Sequence, residues 1–368
     1  MARSRLHQLT ELGQSVWIDV LSRDMLRSGE LERLMREDAV VGVTSNPTIF
    51  QKALAAGSTY DEQLKDALAE ERDPKELFIR LAGSDVGEAC DLLRRVWDAG
   101  GGQDGYVSIE VDPTLAYDTE ATIAEAQRLH ELIDRPNLFV KIPGTAEGLP
   151  AIEEMIARGR SINVTLIFSL ERYVEVAEAY VRGLERLVEA GGDPSSIASV
   201  ASFFVSRVDT EADRRLDELG GHDDLKGRLA VANAKLAYQR YKEIFAGERW
   251  EPLAAAGATP QRCLWASTST KNPEYRDVMY VEELIGPETV NTMPLETVAA
   301  FQDHGQVALT LEQGLDEVQR VLERLAAAGV DYDDVTATLE REGVEKFSDS
   351  FAELIDGIRA KSGELVPA

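Results

Sequence analysis

Cysteine and histidine are both scarce in this sequence. The 368 residues include two cysteines, Cys90 and Cys263, and four histidines. The cysteines are far apart and stand in neither metal-binding nor redox spacing, which argues against a disulfide framework and fits a reducing compartment. The histidines have no ligand spacing and no cysteine companion. We therefore expect no metal site.

Basic residues are few relative to acidic ones. There are 39 lysines and arginines against 66 aspartates and glutamates, and the formal net charge is −27. Nucleic acids and anionic membranes are both bound through a basic footprint, so we expect neither as a partner. An anionic substrate would have to be attracted by local lysines and arginines against the field of the whole protein.

Long apolar runs are also missing. No apolar stretch approaches the roughly 20 residues of a membrane helix, and residues 1–24 lack the uninterrupted apolar core of a signal peptide. We therefore expect a cytoplasmic protein. The hydrophobic content of 44% is nevertheless typical of a globular chain with a full core.

Eight short apolar runs recur along the chain, separated by segments with helical periodicity. The runs are residues 15–20, 39–44, 106–111, 137–142, 162–168, 197–204, 261–267 and 289–293. Eight strands that alternate with helices predict parallel βα units closed into a (β/α)₈ barrel. The alternative is a doubly wound open sheet, but no Gly-x-Gly-x-x-Gly turn follows the first strand.

Helical periodicity is clearest in three segments. Residues 170–190 place an apolar stripe on one face, and residues 310–328 repeat the pattern. In the second segment Thr310 and Gln313 resemble a capping box, and Gly329 is suited to end the helix. A last amphipathic helix is indicated by Phe347, Phe351, Leu354 and Ile358. We expect this helix to lie over the barrel mouth, by which we mean the C-terminal end of the strands.

No linker, internal repeat or low-complexity tract divides the chain. We expect a single barrel domain over residues 1–368, with helical insertions at about 50–105 and C-terminal helices at about 310–362.

Lys141 is the most informative single residue. It interrupts an apolar run, residues 138–142, of the kind that forms a strand buried on both faces. Lysine is rarely buried without a partner, and burial disfavours the charged ammonium. A neutral amine attacks carbonyl groups, so this position suggests a lysine that forms a Schiff base. The alternative is a strand lysine that reaches water or pairs with a carboxylate.

Polar side chains gather where the other predicted strands end, which in a barrel places them around one mouth. They are Asp19, Thr44, Ser45, Asn46, Glu110, Asn163, Thr165, Ser202, Arg207 and Lys271, together with the aromatic Phe204. Carboxylates beside a lysine suit proton transfer to and from a carbonyl substrate, and hydroxyls and amides suit a polyol.

Several of these residues have a structural alternative. Asp19 could cap a helix, Asn46 could serve a turn before a proline, Glu110 could pair with a barrel lysine, and Arg207 could form a surface salt bridge. A carboxylate in direct contact with Lys141 would stabilise its ammonium form. We therefore expect Glu110 to reach Lys141 through a water molecule.

Four segments resemble those of the transaldolase family. Residues 42–50 (GVTSNPTIF) and 138–149 (LFVKIPGTAEGL) resemble two signatures of that family, and residues 107–113 and 163–169 resemble two further blocks. Their order and spacing hold from about residue 15 to 295. The sequence WAST at 265–268 is similar to that of the longer bacterial subgroup.

The resemblance implies a (β/α)₈ barrel that uses neither metal nor cofactor. It implies transfer of a dihydroxyacetone unit from sedoheptulose 7-phosphate to glyceraldehyde 3-phosphate, which yields erythrose 4-phosphate and fructose 6-phosphate in the non-oxidative pentose phosphate pathway. The expected partners are thus phosphorylated sugars, and a homodimer is possible. A simple aldolase on the same barrel and a non-catalytic sugar-phosphate-binding protein are the alternatives.

The resemblance also implies roles for the residues of the mouth. Lys141 would form the imine with the donor ketone, Asp19 would exchange the proton of the C4 hydroxyl, and Glu110 with Thr165 and a water would move protons as the imine forms. Asn46 and Asn163 would hold the sugar hydroxyls and the retained three-carbon intermediate, and Ser202 and Arg207 would bind the phosphate. Thr44, Ser45 and Phe204 are further candidates for substrate binding from their position at the mouth. The family often has a second phosphate-binding arginine after strand seven, where this chain has Lys271.

Overall fold

The computed structural model describes residues 4–55 and 57–365. Eight parallel strands pair in chain order, and the first also pairs with the last, so the sheet is a closed barrel. This confirms the (β/α)₈ prediction and excludes the open sheet. The strands are β1 (Gln14–Ile18), β2 (Val40–Val43), β3 (Val107–Glu110), β4 (Leu138–Pro143), β5 (Ile162–Ile167), β6 (Ser199–Phe204), β7 (Arg262–Ala266) and β8 (Thr289–Met293).

Sixteen α-helices surround the barrel in the described ranges. They are α1 (Arg5–Glu11), α2 (Arg23–Arg27), α3 (Glu30–Glu37), α4 (Pro47–Ala55), α5 (Asp61–Ala67), α6 (Pro74–Ala99), α7 (Thr119–Ile133), α8 (Gly148–Ala157), α9 (Leu170–Glu189), α10 (Ser206–Leu219), α11 (Leu229–Ile244), α12 (Glu251–Ala255), α13 (Met279–Glu283), α14 (Leu295–His304), α15 (Leu315–Ala328) and α16 (Tyr332–Leu365). None of these is long and apolar enough to cross a membrane, within the residues described.

All eight predicted strands form, and most are slightly shorter than predicted. Residues 197 and 198, for example, precede β6, which begins at Ser199. The long connection between β2 and β3 is largely helical, since it contains α4, α5 and α6. The helix predicted at 170–190 is α9, and it begins where the Ser169 side chain accepts a hydrogen bond from the Arg172 amide at 3.0 Å.

The helix predicted at 310–328 begins later than expected. It is α15, which starts at Leu315 after Gly314, a residue in the left-handed region with φ 70°. The prediction of a capping box was wrong, because the Thr310 hydroxyl donates instead to the carbonyl of Glu282 at 2.6 Å. Gly329 does end the helix as predicted, with φ 97°.

The last helix, α16, is 34 residues long and lies over the barrel mouth, as expected. The predicted apolar residues Phe347, Phe351, Leu354 and Ile358 are all buried along it. Its approach to the barrel depends on Gly343, because a Cβ atom there would lie 3.0 Å from the Leu166 side chain of β5. A larger residue would require the Leu166 side chain or the helix to shift.

Side chains at the opposite, N-terminal end close the floor of the barrel. The indole nitrogen of Trp17 donates to Asp104 at 3.0 Å, and Arg262 pairs with the same carboxylate at 3.0 Å. Arg262 also donates to the Ser15 hydroxyl at 2.9 Å. The Trp17 ring lies against Gly42 of β2, where a Cβ atom would come within 2.4 Å of the indole.

The contact between Trp17 and Gly42 predicts the effect of adding one methyl group. Gly42→Ala should lower the free energy of unfolding by about 1–3 kcal/mol, because the rigid indole cannot yield within a packed floor. The measurement is chemical denaturation monitored by circular dichroism. Gly87→Ala is the control, since no atom lies within 4 Å of a Cβ at that position in α6. It should be neutral or stabilise by up to about 1 kcal/mol, and equal losses in the two variants would contradict the prediction.

Candidate active site

A cavity of about 670 Å³ opens at the barrel mouth. Nine of the twelve predicted site residues line it: Asp19, Thr44, Asn46, Lys141, Thr165, Ser202, Phe204, Arg207 and Lys271. The other three, Ser45, Glu110 and Asn163, lie behind this lining and contact it, as described below. The prediction that these side chains meet at one end of the barrel is confirmed.

Lys141 is buried near the end of β4, with 5% of its surface exposed. Its Nζ donates to the backbone carbonyl of Ser45 at 3.1 Å and lies 3.4 Å from a carboxylate oxygen of Glu110. The expectation of a bridging water was wrong, because Glu110 of β3 is the direct register partner of Lys141. Two residues in register on neighbouring strands, whose side chains both point into the barrel, lie close enough to contact each other.

The Glu110 carboxylate has few hydrogen-bond donors around it. Within the described residues, neither of its buried oxygens has a hydrogen bond of good geometry. Burial raises the pKa of Glu110, and the nearby charge of Lys141 opposes that rise. A carboxyl group in this state can accept a proton from a bound molecule and return it.

Asp19 follows β1 and is oriented by two threonines. The Thr44 hydroxyl donates to the Asp19 carboxylate at 3.0 Å and lies 2.8 Å from the Thr292 hydroxyl. Because Thr44 has one proton to give, Thr292 must donate to Thr44 when Thr44 donates to Asp19. Burial raises the pKa of Asp19, whereas Lys141 and the Thr44 hydrogen bond lower it. Asp19 is not the helix cap that was considered, since Ser22 caps α2.

Thr165 lies next to an irregularity in β5. Its buried hydroxyl lines the cavity and has no hydrogen-bond partner in the described part of the chain. The following residue, Leu166, has φ 59°, and the pairing of β5 with β6 is interrupted between Val164 and Ile167. A left-handed leucine is strained, so the surrounding fold must hold this bend in place.

A chain of hydrogen bonds crosses the barrel behind the cavity. Ser202 donates to the Asn163 amide oxygen at 2.7 Å, and the Asn163 amide nitrogen donates to the Ser108 hydroxyl at 3.1 Å.

The Asn46 amide oxygen accepts from the Ile49 backbone at 3.1 Å, at the start of α4. Asn46 thus both stabilises the turn that was considered and lines the cavity.

Arg207 projects from the first turn of α10 between two aromatic rings. Its guanidinium carbon is 5.0 Å from the ring centroid of Phe204 and 5.7 Å from that of Phe347. One terminal nitrogen of Arg207 is buried and has no hydrogen-bond partner among the described residues. The guanidinium can therefore bind an anion that enters the cavity.

Lys271 is exposed at the rim of the same cavity, where its Nζ donates to the Ser269 hydroxyl at 2.7 Å. Lys52 of α4 is a further exposed cation in the lining. With Lys141 and Arg207, four cations line the cavity, together with the carboxylates of Asp19, Asp24 and Glu296. In a chain whose net charge is −27, an anionic ligand can be bound by the cations that it contacts directly.

The sequence analysis missed Thr292 and Lys52, and it placed Phe347 on the last helix without assigning it to the site. Thr292 lies on β8, and a polar residue at the end of the last predicted strand was a usable signal. No comparable signal marked Phe347, whose spacing on α16 matches that of ordinary core residues. Among the described residues, no group of three or more His, Cys, Asp or Glu is arranged to hold a metal ion.

The closed parallel barrel, with a polar cavity at the C-terminal ends of its strands, defines the class of (β/α)₈-barrel enzymes. A family model described as transaldolase/fructose-6-phosphate aldolase matches residues 16–358. The chain is 55% identical over 361 residues to a transaldolase of Frankia alni, covering 97% of each chain. It is 56% identical over 351 residues to a transaldolase of Acidothermus cellulolyticus, covering 95% of this chain and 94% of the relative. The chain therefore belongs to the transaldolase/fructose-6-phosphate aldolase family, as its motifs indicated.

The hydrogen bond from Thr44 to Asp19 predicts a measurable change in acidity. Thr44→Val removes a donor that favours the ionised carboxylate, so the pKa of Asp19 should rise further above its usual value. The measurement is a ¹³C NMR titration of labelled aspartate, in which the Asp19 signal is assigned by its loss in Asp19→Asn.

Thr48→Val is the matched control for this titration. Thr48 also lines the cavity, but its hydroxyl bonds to Ser350 at 2.9 Å and not to Asp19. It should leave the Asp19 titration unchanged. A Thr44→Val spectrum that titrates like the wild type would show that the hydrogen bond does not act on the carboxylate.

Proposed function

We propose that this protein is a transaldolase that moves a dihydroxyacetone unit between sugar phosphates through a Schiff base on Lys141. The reaction converts sedoheptulose 7-phosphate and glyceraldehyde 3-phosphate to erythrose 4-phosphate and fructose 6-phosphate. The observation that carries the proposal is the buried amine of Lys141, which lies 3.4 Å from Glu110 beneath a cavity of about 670 Å³. Transaldolase relatives at 50–56% identity support it.

In the first step Lys141 passes a proton to Glu110, which lies 3.4 Å from Nζ, and the neutral amine then attacks C2 of the ketose. Glu110 gives this proton to the carbonyl oxygen, which completes the carbinolamine, and takes a second proton from the attacking nitrogen. Glu110 then delivers the second proton to the hydroxyl, which leaves as water, and a protonated imine remains. The unpaired Thr165 hydroxyl can hold the water that leaves.

In the second step the C3–C4 bond breaks. Asp19 takes the proton of the C4 hydroxyl, an aldehyde leaves, and the bonding electrons move to the protonated imine to give an enamine. Burial raises the pKa of Asp19 above its usual value, which favours its role as the acceptor of this proton. The acceptor aldehyde then enters, and the same atoms reverse each movement.

The phosphate of each sugar is assigned to Arg207 and Lys271, which both line the cavity. Arg207 offers a buried unpaired N–H group and Lys271 an exposed point charge. Ser202 is a weaker candidate than its motif implied, because its proton is already donated to Asn163. It could donate to a phosphate only by giving up that bond. Asn46 and the remaining polar side chains would hold sugar hydroxyls.

The proposal also covers the domain organisation, cellular location, pathway and ligands of the protein. We propose one domain over the whole chain, a cytoplasmic location, a place in the non-oxidative pentose phosphate pathway, and binding of phosphorylated sugars without a metal or cofactor. A homodimer is compatible with this function, and size-exclusion chromatography with light scattering would test it.

The Schiff base predicts a covalent adduct at one position. Reduction with borohydride during incubation with fructose 6-phosphate should attach a reduced three-carbon unit to the peptide that contains Lys141, detected by mass spectrometry. Lys141→Ala should abolish both the adduct and sugar transfer, because no other amine replaces the nucleophile.

A second buried lysine provides the control. Lys235 of α11 is 6% exposed and bonds to Glu283 at 3.3 Å, away from the cavity. Lys235→Arg should retain both the adduct and transfer. An adduct on another lysine, or substantial transfer by Lys141→Ala, would refute the mechanism.

The phosphate assignment predicts a selective loss of affinity. Arg207→Ala should raise KM for fructose 6-phosphate by about 10- to 100-fold, which corresponds to the loss of a charge-assisted hydrogen bond. KM for unphosphorylated fructose should stay unchanged, because that sugar lacks the anion. Arg214→Ala is the matched control, since Arg214 lies on the same helix and its exposed side chain pairs with Glu211. An unchanged KM for fructose 6-phosphate in Arg207→Ala would remove Arg207 from the site.

A further inference from the structure

Phe347 is the one residue of α16, within its described length, that lines the cavity. Its side chain is 4% exposed. The centre of its ring lies 6.0 Å from Nζ of Lys141 and 5.7 Å from the guanidinium carbon of Arg207. The ring thus covers the proposed nucleophile and the proposed phosphate ligand at once.

The surroundings of α16 hold this ring in place. Gly343 lies one turn before Phe347. Because Gly343 has no side chain, the helix backbone comes close to the Leu166 side chain at this point. One turn after Phe347, the ring of Phe351 packs edge-to-face on Phe78, with centroids 5.8 Å apart. The Ser350 hydroxyl accepts from Thr48 at 2.9 Å. Phe347 is therefore fixed over the mouth by contacts on both sides.

The proposed reaction passes through an intermediate that water can destroy. After the C3–C4 bond breaks, the three-carbon unit remains on Lys141 as an enamine. If the enamine carbon takes a proton, an iminium ion of dihydroxyacetone forms. One water molecule then adds at C2, the C–N bond breaks, and free dihydroxyacetone and the lysine ammonium are released. Transfer requires that an aldehyde reach the enamine carbon before this proton and this water do.

We propose that Phe347 determines whether the bound three-carbon unit is transferred or hydrolysed. Its ring does so by excluding water from the Lys141 nitrogen and from the enamine bound to it. This inference rests on the proposed function and goes beyond it, because it assigns the preference for transfer over hydrolysis to one side chain of the C-terminal helix. An apolar ring offers no proton and no hydrogen bond that could hold a water molecule near the iminium carbon.

The test compares hydrolysis with transfer in Phe347→Ala. The rate of dihydroxyacetone release from fructose 6-phosphate alone is divided by the rate of transfer from fructose 6-phosphate to erythrose 4-phosphate. This ratio should rise by about tenfold or more, because the truncated side chain opens a path for water. Phe347→Leu keeps an apolar side chain and should give a smaller rise. If Phe347→Ala does not fold, the leucine variant and Phe347→Ser provide the same comparison.

Ile358→Ala is the matched control for the loss of a buried apolar side chain from α16. Ile358 is also buried, but it lies three turns beyond Phe347 and does not line the cavity. This variant should lose stability without a change in the ratio. An unchanged ratio in folded Phe347→Ala, or an equal rise in Ile358→Ala, would overturn the inference.

Borohydride trapping separates this inference from the proposed function. An adduct on Lys141 in the wild type together with an unchanged ratio in Phe347→Ala would refute the role of Phe347 alone. Absence of the adduct in the wild type would refute the Schiff base itself, and with it the inference that depends on it.

Discussion

Two opposite charges are buried 3.4 Å apart inside the barrel, and the rest of the site depends on how they are held. Lys141 and Glu110 are 5% and 8% exposed, so each loses most of its hydration. Their attraction offsets part of that cost, and the Ser45 carbonyl contributes one further hydrogen bond. The pair can exchange a proton only because the sheet brings both side chains to the same height. A closed floor and a covering helix keep bulk water from screening them.

The mouth of the barrel has a different electrostatic character from the rest of the protein. The chain is strongly acidic, yet Lys52, Lys141, Arg207 and Lys271 line one cavity. Asp19, Asp24 and Glu296 share that lining, so the cavity is not uniformly positive. Because exposed charges are screened within about 10 Å at moderate ionic strength, an anionic ligand responds to the cations that it contacts more than to the net charge.

Backbone strain also occurs at the mouth, where two of the five described non-glycine residues with positive φ lie. Leu166 at the end of β5 has φ 59° and Ser267 just after β7 has φ 58°. Each such residue costs on the order of 1–3 kcal/mol, which a fold retains only where its surroundings impose the conformation. Leu166 contacts the position of Gly343, and the Ser267 hydroxyl lies 2.9 Å from that of Ser206, which begins α10. The strained ends thus meet the helices that carry Phe347 and Arg207.

The sequence alone was sufficient for the eight strands, the barrel and most of the mouth. Alternating patterns identify strands locally, and parallel strands place their C-terminal ends on one face, so a polar residue such as Asp19 or Thr165 could be assigned to the site without coordinates. Lys141 was recognisable because a cation in an apolar strand is anomalous. The direct contact of Glu110 with Lys141 and the place of Phe347 over both were decided only by the tertiary structure. They depend on the register between strands and on the path of a helix some 200 residues away in the chain, and local patterns contain neither.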